Sequence, residues 1–271
     1  MVSQWSDTDY LRTQQYGTSA NLDARAELHR RFRTNPQPWP RWAFEQCTFP
    51  ARARILEIGC GPGWLWSENQ DRLATGWHIT LSDFSPGMVL EAQASLRNAP
   101  PIFHFEVFDA QHIPFEDAVF DAVVANHMLY HVPNLDAALA EVRRVLKPGG
   151  TFYAATNGIN HLQRIHDLIR AFAPEYDVHA RNTQLRHKFS LENGRDWLAR
   201  HFDTVRLRLY DDSLVVTEIG ALVAYILSDP VGAAAVMPRL PAFTRFLEKQ
   251  VDPSGAITIA KSSGLFFAQR L

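Results

Sequence analysis

The chain is short of several things, and each shortage excludes something. Only two of its 271 residues are cysteine, Cys47 and Cys60. Two thiols cannot build the disulfide framework of a secreted domain, so a reduced, cytoplasmic setting is expected. There is no excess of positive charge: 27 Lys and Arg stand against 29 Asp and Glu, for a formal net charge of −2. Recognition of a phosphate backbone leaves a basic footprint, so nucleic acid is not expected as a partner. Long apolar runs are missing as well. The most apolar long stretch, 214–227, is interrupted by Thr217 and Glu218 and is too short to span a bilayer. The first ten residues carry acids and no apolar segment of the kind a signal peptide needs, so neither export nor a membrane partner is expected. Internal repeats and low-complexity segments are absent.

What is present is an ordinary globular composition, 46% hydrophobic and 21% charged, with enough apolar residues for a sizeable core. The most informative stretch is Ile55-Leu56-Glu57-Ile58-Gly59-Cys60-Gly61-Pro62-Gly63. An apolar run carrying one acid leads into three glycines spaced two apart, as a buried parallel strand does when it turns beneath a nucleotide-like ligand. Glycine reaches positive φ and lets the backbone approach the ligand without a Cβ between them. The spacing is Gly-x-Gly-x-Gly, whereas dinucleotide binding favours Gly-x-Gly-x-x-Gly. Pro62 also removes a backbone donor that a pyrophosphate could use. Both departures weaken NAD or FAD and favour a nucleoside without phosphates.

From Arg54 onward the pattern alternates between strands and helices. Strands are predicted at 55–58, 77–81, 102–108, 120–125 and 151–155, and helices at 64–73, 86–96 and from 135 to 146, the last capped by Asn134 and stopped by Lys147-Pro148-Gly149-Gly150. Such alternation argues an α/β fold with a parallel sheet covered on both faces. Residues 1–50 read as an N-terminal helical arm broken at Asn35-Pro36-Gln37-Pro38, with Trp39, Trp42, Phe44 and Phe49 packing it onto the core. Residues 51–271 read as the main domain, with helical insertions at about 157–200 and 217–250. Val205–Tyr210 is a further strand, and 257–259 with 265–268 are expected to form a late antiparallel edge pair.

In an open doubly wound sheet, ligands lie beyond the carboxyl ends of the strands at the switch point. The predicted strand ends carry Glu57 with the glycine turn, then Asp83-Phe84, then Asp109-Ala110, then Asn126-His127. A carboxylate such as Asp83 can accept from both hydroxyls of a ribose, Phe84 can lie against a purine face, and Asp109 can accept from an exocyclic amine. Together with Ser82-Asp83-Phe84-Ser85-Pro86-Gly87-Met88, Phe108-Asp109-Ala110, Phe120-Asp121 and Leu146-Lys147-Pro148-Gly149-Gly150, the glycine turn resembles the ordered motifs of class I S-adenosylmethionine-dependent methyltransferases, small-molecule branch. The resemblance spans about residues 50–157. It implies a Rossmann-like, doubly wound seven-stranded sheet, mostly parallel with the last strand antiparallel, under a helical cap. It implies S-adenosyl-L-methionine as cofactor, S-adenosyl-L-homocysteine as product, and cofactor contacts at Gly59, Cys60, Gly61, Asp83, Phe84, Asp109, Ala110 and Asn126. Glu57 would hold the turn or the methionine amino group, and Met88 would pack near the adenine. From the arm, Tyr16 would cover the methyl site and Arg25 would pair with the methionine carboxylate.

Methyl transfer from a sulfonium needs position and dryness more than a protein nucleophile. His127, next to the expected methyl position, is the candidate base or acceptor-orienting group, with ordinary packing as the alternative. Asn157, His161, His187 and Phe189 are candidates to face the acceptor. A metal pair of His127 with His131 lacks a carboxylate partner nearby in sequence, so no metal is expected. The segment Asn126-His127-Met128-Leu129 lacks the Pro-Pro-aromatic run used around a flipped base, and no Pro-Cys dipeptide or clustered carboxylates suggest cytosine-ring or metal-dependent catechol methylation. An insertion roof containing Leu222, Tyr225 and Phe243 suggests a small, moderately apolar acceptor, methylated on O or N more readily than on C. Two rivals remain: a protein of this fold that binds the cofactor without methyl transfer, and a dinucleotide oxidoreductase.

Overall fold

The computed structural model describes residues 20–175 and 188–271. Five strands run parallel: β1 (Arg54–Ile58), β2 (His78–Asp83), β3 (Phe103–Val107), β4 (Phe120–Asn126) and β5 (Leu146–Asn157). After β6 (Thr204–Tyr210), strands β7 (Ser213–Val216) and β8 (Ile257–Ala260) pair with each other in a separate two-stranded sheet. The last strand, β9 (Ser263–Gln269), lies between β5 and β6 and is antiparallel to both. The seven-stranded order is therefore β3-β2-β1-β4-β5-β9-β6. It reverses between β1 and β4, which is the switch point where an α/β sheet opens a crevice at its carboxyl edge.

The strands that flank this crevice are buried on both faces, as parallel strands under helices must be. Ile55, Leu56 and Ile58 of β1 have no exposed surface, and Ala122, Val123, Val124 and Ala125 of β4 have almost none. One face carries α5 (Leu135–Val145), whose apolar stripe Leu135, Leu139 and Val142 is fully covered. Asn134 caps that helix by accepting from the Ala137 N–H at 3.1 Å, and Arg143 and Arg144 lie in its last turn, where cations suit the dipole. The other face carries α4 (Pro86–Ser95) and the aromatic cluster of Phe44, Phe49, Trp66 and Trp77, through which the arm packs onto the sheet.

A third cluster forms the cap. The arm helix Ala20–Phe32 contributes Leu28 and Phe32, Gln163–Phe172 contributes Ile165, Leu168 and Ile169, and the helices Ile219–Leu227, Pro230–Val236 and Leu240–Glu248 close over the β7–β8 pair. Among the described residues no single helix is long and apolar enough to cross a membrane, and the apolar residues Leu222, Ile226, Val236, Phe243 and Leu247 of the last three helices are buried here.

Three local expectations are corrected. The helix expected at 64–73 ends at Ser67 and resumes only as a 3₁₀ turn at 70–72. Asn69 is the cause: its side-chain amide donates to the Leu65 and Pro40 carbonyls, competing with the helical pattern. Leu146-Lys147-Pro148-Gly149-Gly150 already belongs to β5, where Gly149 at φ +79° donates to the Arg270 carbonyl and irregular pairing with β4 absorbs the turn. Strands 257–259 and 265–268 do not pair as an edge. The first joins the cap and the second sits inside the main sheet, because Leu265, Phe266 and Ala268 are apolar on both faces and need neighbours on both sides.

Candidate active site

At the switch point the glycine turn has the geometry its composition suggests. Gly59, Gly61 and Gly63 have φ of +64°, +53° and +76°. A Cβ on Gly59 would lie 2.7 Å from Met128, whereas one on Gly61 would meet nothing within 4 Å and would project into open space. That space is a cavity of about 880 Å³ at the carboxyl ends of the strands. The backbone donors of the turn are already committed. Cys60 N donates to the Ser82 carbonyl, Gly61 N to Asp83 and Gly63 N to the Cys60 carbonyl, and Pro62 has none. No donor of residues 60–63 is left for a pyrophosphate, which disfavours the dinucleotide alternative.

Every described residue expected at the cofactor lines this cavity: Arg25, Glu57, Gly59, Cys60, Gly61, Asp83, Phe84, Met88, Asp109, Ala110 and Asn126. Asp83 ends β2 and accepts from Gly61 N at 3.0 Å and from Ser85 N at 2.9 Å, so it ties the glycine turn to the start of α4. Burial raises its pKa, against those backbone hydrogen bonds. With a further backbone hydrogen bond from Phe84, the carboxylate keeps acceptor capacity for a ligand. Phe84 is 38% exposed beside it, an aromatic ring left uncovered by the protein, while Met88 is buried. Asp109 accepts from the backbone and side-chain nitrogens of Gln111 at 2.9 and 2.7 Å, which fixes the loop over the same crevice. Cys60 is buried, and desolvation pushes its thiol well above the usual range.

Glu57 is 1% exposed and accepts from the Trp66 indole N–H at 2.6 Å. Burial pushes its pKa up to about 8, against the lowering effect of Trp66. A carboxyl in that state becomes an ion when a cation reaches it, and the nucleoside's methionine moiety carries an ammonium. The uncovered Phe84 ring, the open cradle at Gly61, Asp83 at the ribose position and Glu57 below fit S-adenosylmethionine.

Arg25 departs from its expected role. Its guanidinium donates to Ser228 Oγ and to the Ser228 carbonyl at 3.1 and 3.2 Å, and lies 4.0 Å from Asp229, so it fastens the arm to the roof. Tyr16 and His187 lie outside the described residues. Of the expected roof, only Tyr225 lines the cavity. Leu222 and Phe243 are wholly buried within the cap, and Phe189 packs against Phe266 beneath it.

The far half of the cavity is polar and aromatic. Asn126 at the end of β4 accepts from the Trp39 indole at 3.2 Å, and the Trp39 ring lies 4.8 Å from that of His127. His127, which lines the cavity, has φ +55°, uncommon for a residue with a Cβ. Burial holds its pKa down at about 4, with Lys261 adding to the effect, so it is neutral. His161 and Asn157 line the same space and are tied to Ser263, whose hydroxyl donates to Asn157 Oδ1 at 2.7 Å. Among the described residues no group of three or more His, Cys, Asp or Glu is arranged to hold a metal.

Several lining residues were invisible in the sequence as site residues. Lys261, in the turn between β8 and β9, places its ammonium on Asp212 with its side chain 7% exposed. Asp212 also accepts from the backbone of Thr34 and Asn35 at 3.0 Å, which latches the arm. His29 on the arm helix stands 6.4 Å from His161 and 6.1 Å from Tyr225, ring to ring, and burial lowers its pKa to about 3. No local pattern marks these positions. They meet only when the cap folds onto the sheet.

Comparison with known proteins agrees with this geometry. Residues 56–154 match a family described as "Methyltransferase domain". Over 121 residues the chain is 36% identical to a malonyl-[acyl-carrier protein] O-methyltransferase of Erwinia billingiae, covering 45% of this chain and 44% of that protein. Over 114 residues it is 34% identical to the ubiquinone/menaquinone biosynthesis C-methyltransferase UbiE of Desulfotalea psychrophila, covering 42% and 45%. The chain thus spans about half the length of the curated relatives it matches or less. A solved structure of Haemonchus contortus phosphoethanolamine N-methyltransferase 2 in complex with S-adenosyl-L-methionine superposes on all of this chain and 60% of that one, with a TM-score of 0.60 at 18% identity, a likeness of fold. By motif order, sheet topology and these matches, residues 56–154 carry a methyltransferase domain of the class I S-adenosylmethionine-dependent type.

Proposed function

We propose that this protein transfers a methyl group from S-adenosylmethionine to a small-molecule acceptor held beneath the cap. The observation that carries the reading is one continuous cavity. The glycine turn, Asp83 and Phe84 line its cofactor end, and His127, His29, Tyr225 and Lys261 line the other. When bound, S-adenosylmethionine supplies an electrophilic methyl that is displaced in line with its S–C bond. The chain's residues bind, orient and exclude water. Asp83 would accept from the ribose hydroxyls, Phe84 would stack on the purine, and Glu57 would ionise against the methionine ammonium. Trp39 and Tyr210, in edge contact at 5.3 Å, line the same cavity.

Acceptor identity is where the relatives diverge, since their names specify O-, C- and N-methylation. The polar acceptor end favours a heteroatom of a small metabolite over carbon. The free cysteines fit a reducing, cytoplasmic compartment. The test is formation of S-adenosylhomocysteine from S-adenosylmethionine in the presence of a deproteinised metabolite extract, beside calorimetric cofactor binding. Acceptor-dependent product is expected. Cofactor binding with no turnover over the whole extract would favour the non-methylating alternative.

A further inference from the structure

The acceptor end of the cavity has a charge and hydrogen-bond pattern that narrows the acceptor further, granted the methyl transfer above. Three observations combine. First, Lys261 is a nearly buried cation with unused donors. Its ammonium has three N–H groups, and among the described residues its one hydrogen-bond partner is Asp212, with the Tyr210 ring 5.5 Å from Nζ. Asp212 supplies its counter-charge but takes only one of the three donors, and that carboxylate also accepts from Thr34 N, Asn35 N and the Thr34 hydroxyl, so among the described residues two ammonium N–H groups remain for an anionic ligand.

Second, the lining charge at this end is positive. Arg33 lines the cavity, and among the described residues its guanidinium is bound only to the carbonyls of Asn35, Arg30 and Pro36. The lining carboxylates Glu57, Asp83 and Asp109 belong to the cofactor end, Glu27 is held by Arg30 and Arg31, and Glu68 follows the helix after the glycine turn. A cationic amine would meet Lys261 and Arg33 with no free carboxylate among the described residues to receive it.

Third, the two histidines are set up as donors. Nδ1 of His29 and of His127 is buried with no hydrogen-bond partner among the described residues. A histidine acting as base through Nε2 needs an acceptor to hold the proton on Nδ1. Neither ring has one, so the proton resides on Nε2, the nitrogen left to face the cavity. Such a ring donates to an anion and takes no proton from an alcohol.

We propose that the acceptor is a carboxylic acid, bound as its carboxylate by Lys261 with the Nε2–H groups of His127 and His29, and that the product is its methyl ester. An oxygen lone pair of the carboxylate forms the new O–CH₃ bond as the S–CH₃ bond breaks and its electron pair returns to sulfur. The sulfonium and carboxylate charges cancel, no proton is released, and no base is required. The cancellation is favoured in a site that excludes water.

The experiment uses methyl-labelled S-adenosylmethionine with the metabolite extract and with a panel of short dicarboxylic, fatty and aromatic acids, followed by mild alkali. A methyl ester releases its label as volatile methanol, whereas an ether, N-methyl or C-methyl product retains it. Alkali-volatile label is expected. Alkali-stable label overturns the acid assignment and leaves methyl transfer standing. No label despite cofactor binding overturns the methyl-transfer reading and this one with it. Two variants add independent readouts. His127→Gln keeps an N–H donor and should retain kcat within about tenfold, and a loss of roughly a thousandfold or more would make His127 a base and overturn the proposal. Lys261→Met combined with Asp212→Asn, which leaves no lone buried charge, should raise KM for the acid by about 10- to 100-fold with cofactor affinity unchanged. An unchanged KM would remove Lys261 from the acceptor site.

Discussion

Replacing Glu57 with glutamine should make the ligand-free protein more stable at slightly alkaline pH while weakening its hold on the cofactor. Glu57 is 1% exposed, its side chain accepts from the Trp66 indole, and burial lifts its pKa from 4.5 to about 8. The sign follows from linkage. A carboxyl whose folded pKa lies above its unfolded value stabilises the fold fully only below about 4.5, and that contribution drains away as pH rises to about 8. At roughly 1.36 kcal/mol per pH unit within that window, the wild-type protein should lose about 3 kcal/mol of stability between about pH 5 and pH 7.5 from this group alone. Glutamine keeps an oxygen for the Trp66 N–H and has nothing to ionise. The assay is urea denaturation of both proteins without ligand across that range. The curves should nearly coincide at about pH 5 and separate by about 2–3 kcal/mol at about pH 7.5, with Glu57→Gln the more stable. In the same buffer at about pH 7.5, calorimetry should show the variant binding S-adenosylmethionine about 10-fold or more weakly, as expected for losing a buried charged partner of an ammonium. Parallel stability curves would refute the buried neutral carboxyl, and unchanged affinity would refute its role at the cofactor.

Three further outcomes follow from the same geometry. Asp83→Ala removes the carboxylate that ties Gly61 to Ser85 and faces the ribose position, and should weaken cofactor binding by about 1–3 kcal/mol by calorimetry; full affinity would remove Asp83 from the site. Asp212→Asn alone leaves the Lys261 ammonium buried without its counter-charge and should cost about 3–5 kcal/mol in denaturation experiments, so a loss under about 1 kcal/mol would show the pair to be solvated. Gly61→Ala places a Cβ in open space at φ +53°, so its stability cost should stay near about 1–2 kcal/mol, while cofactor binding should fall far more; equal losses in both would argue that the turn is structural only.

Legibility in the sequence followed how local each feature is. The strand ends were readable because an apolar run, an acid and a glycine lie within ten residues of one another, as at 55–63 and 79–87. Asn134 was readable as a cap because its hydrogen bond reaches only to residue 137. The strand pairings at the end of the chain were not. Ile257–Ala260 and Ser263–Gln269 are adjacent, yet one pairs with β7 and the other with β5 and β6, a choice made by apolar faces far away in sequence. The acceptor end was legible only where a residue follows a predicted strand, as His127, Asn157 and His161 do; the rest failed for the same reason. His29, Trp39, His127, Asp212 and Lys261 come from five separate segments, and nothing near any of them in sequence announces the others. Arg25 shows the same limit, since nothing near it in sequence announces Ser228, which the cap supplies to its guanidinium.

The measurement that bears most directly on the central claim is a calorimetric titration of the ligand-free protein with S-adenosylhomocysteine and, separately, with NAD. The committed backbone donors of residues 60–63, the open cradle at Gly61 and the uncovered Phe84 ring predict saturable one-site binding of S-adenosylhomocysteine, abolished or strongly weakened in Asp83→Ala, and no binding of NAD. Tight NAD binding with no heat from S-adenosylhomocysteine would contradict the account.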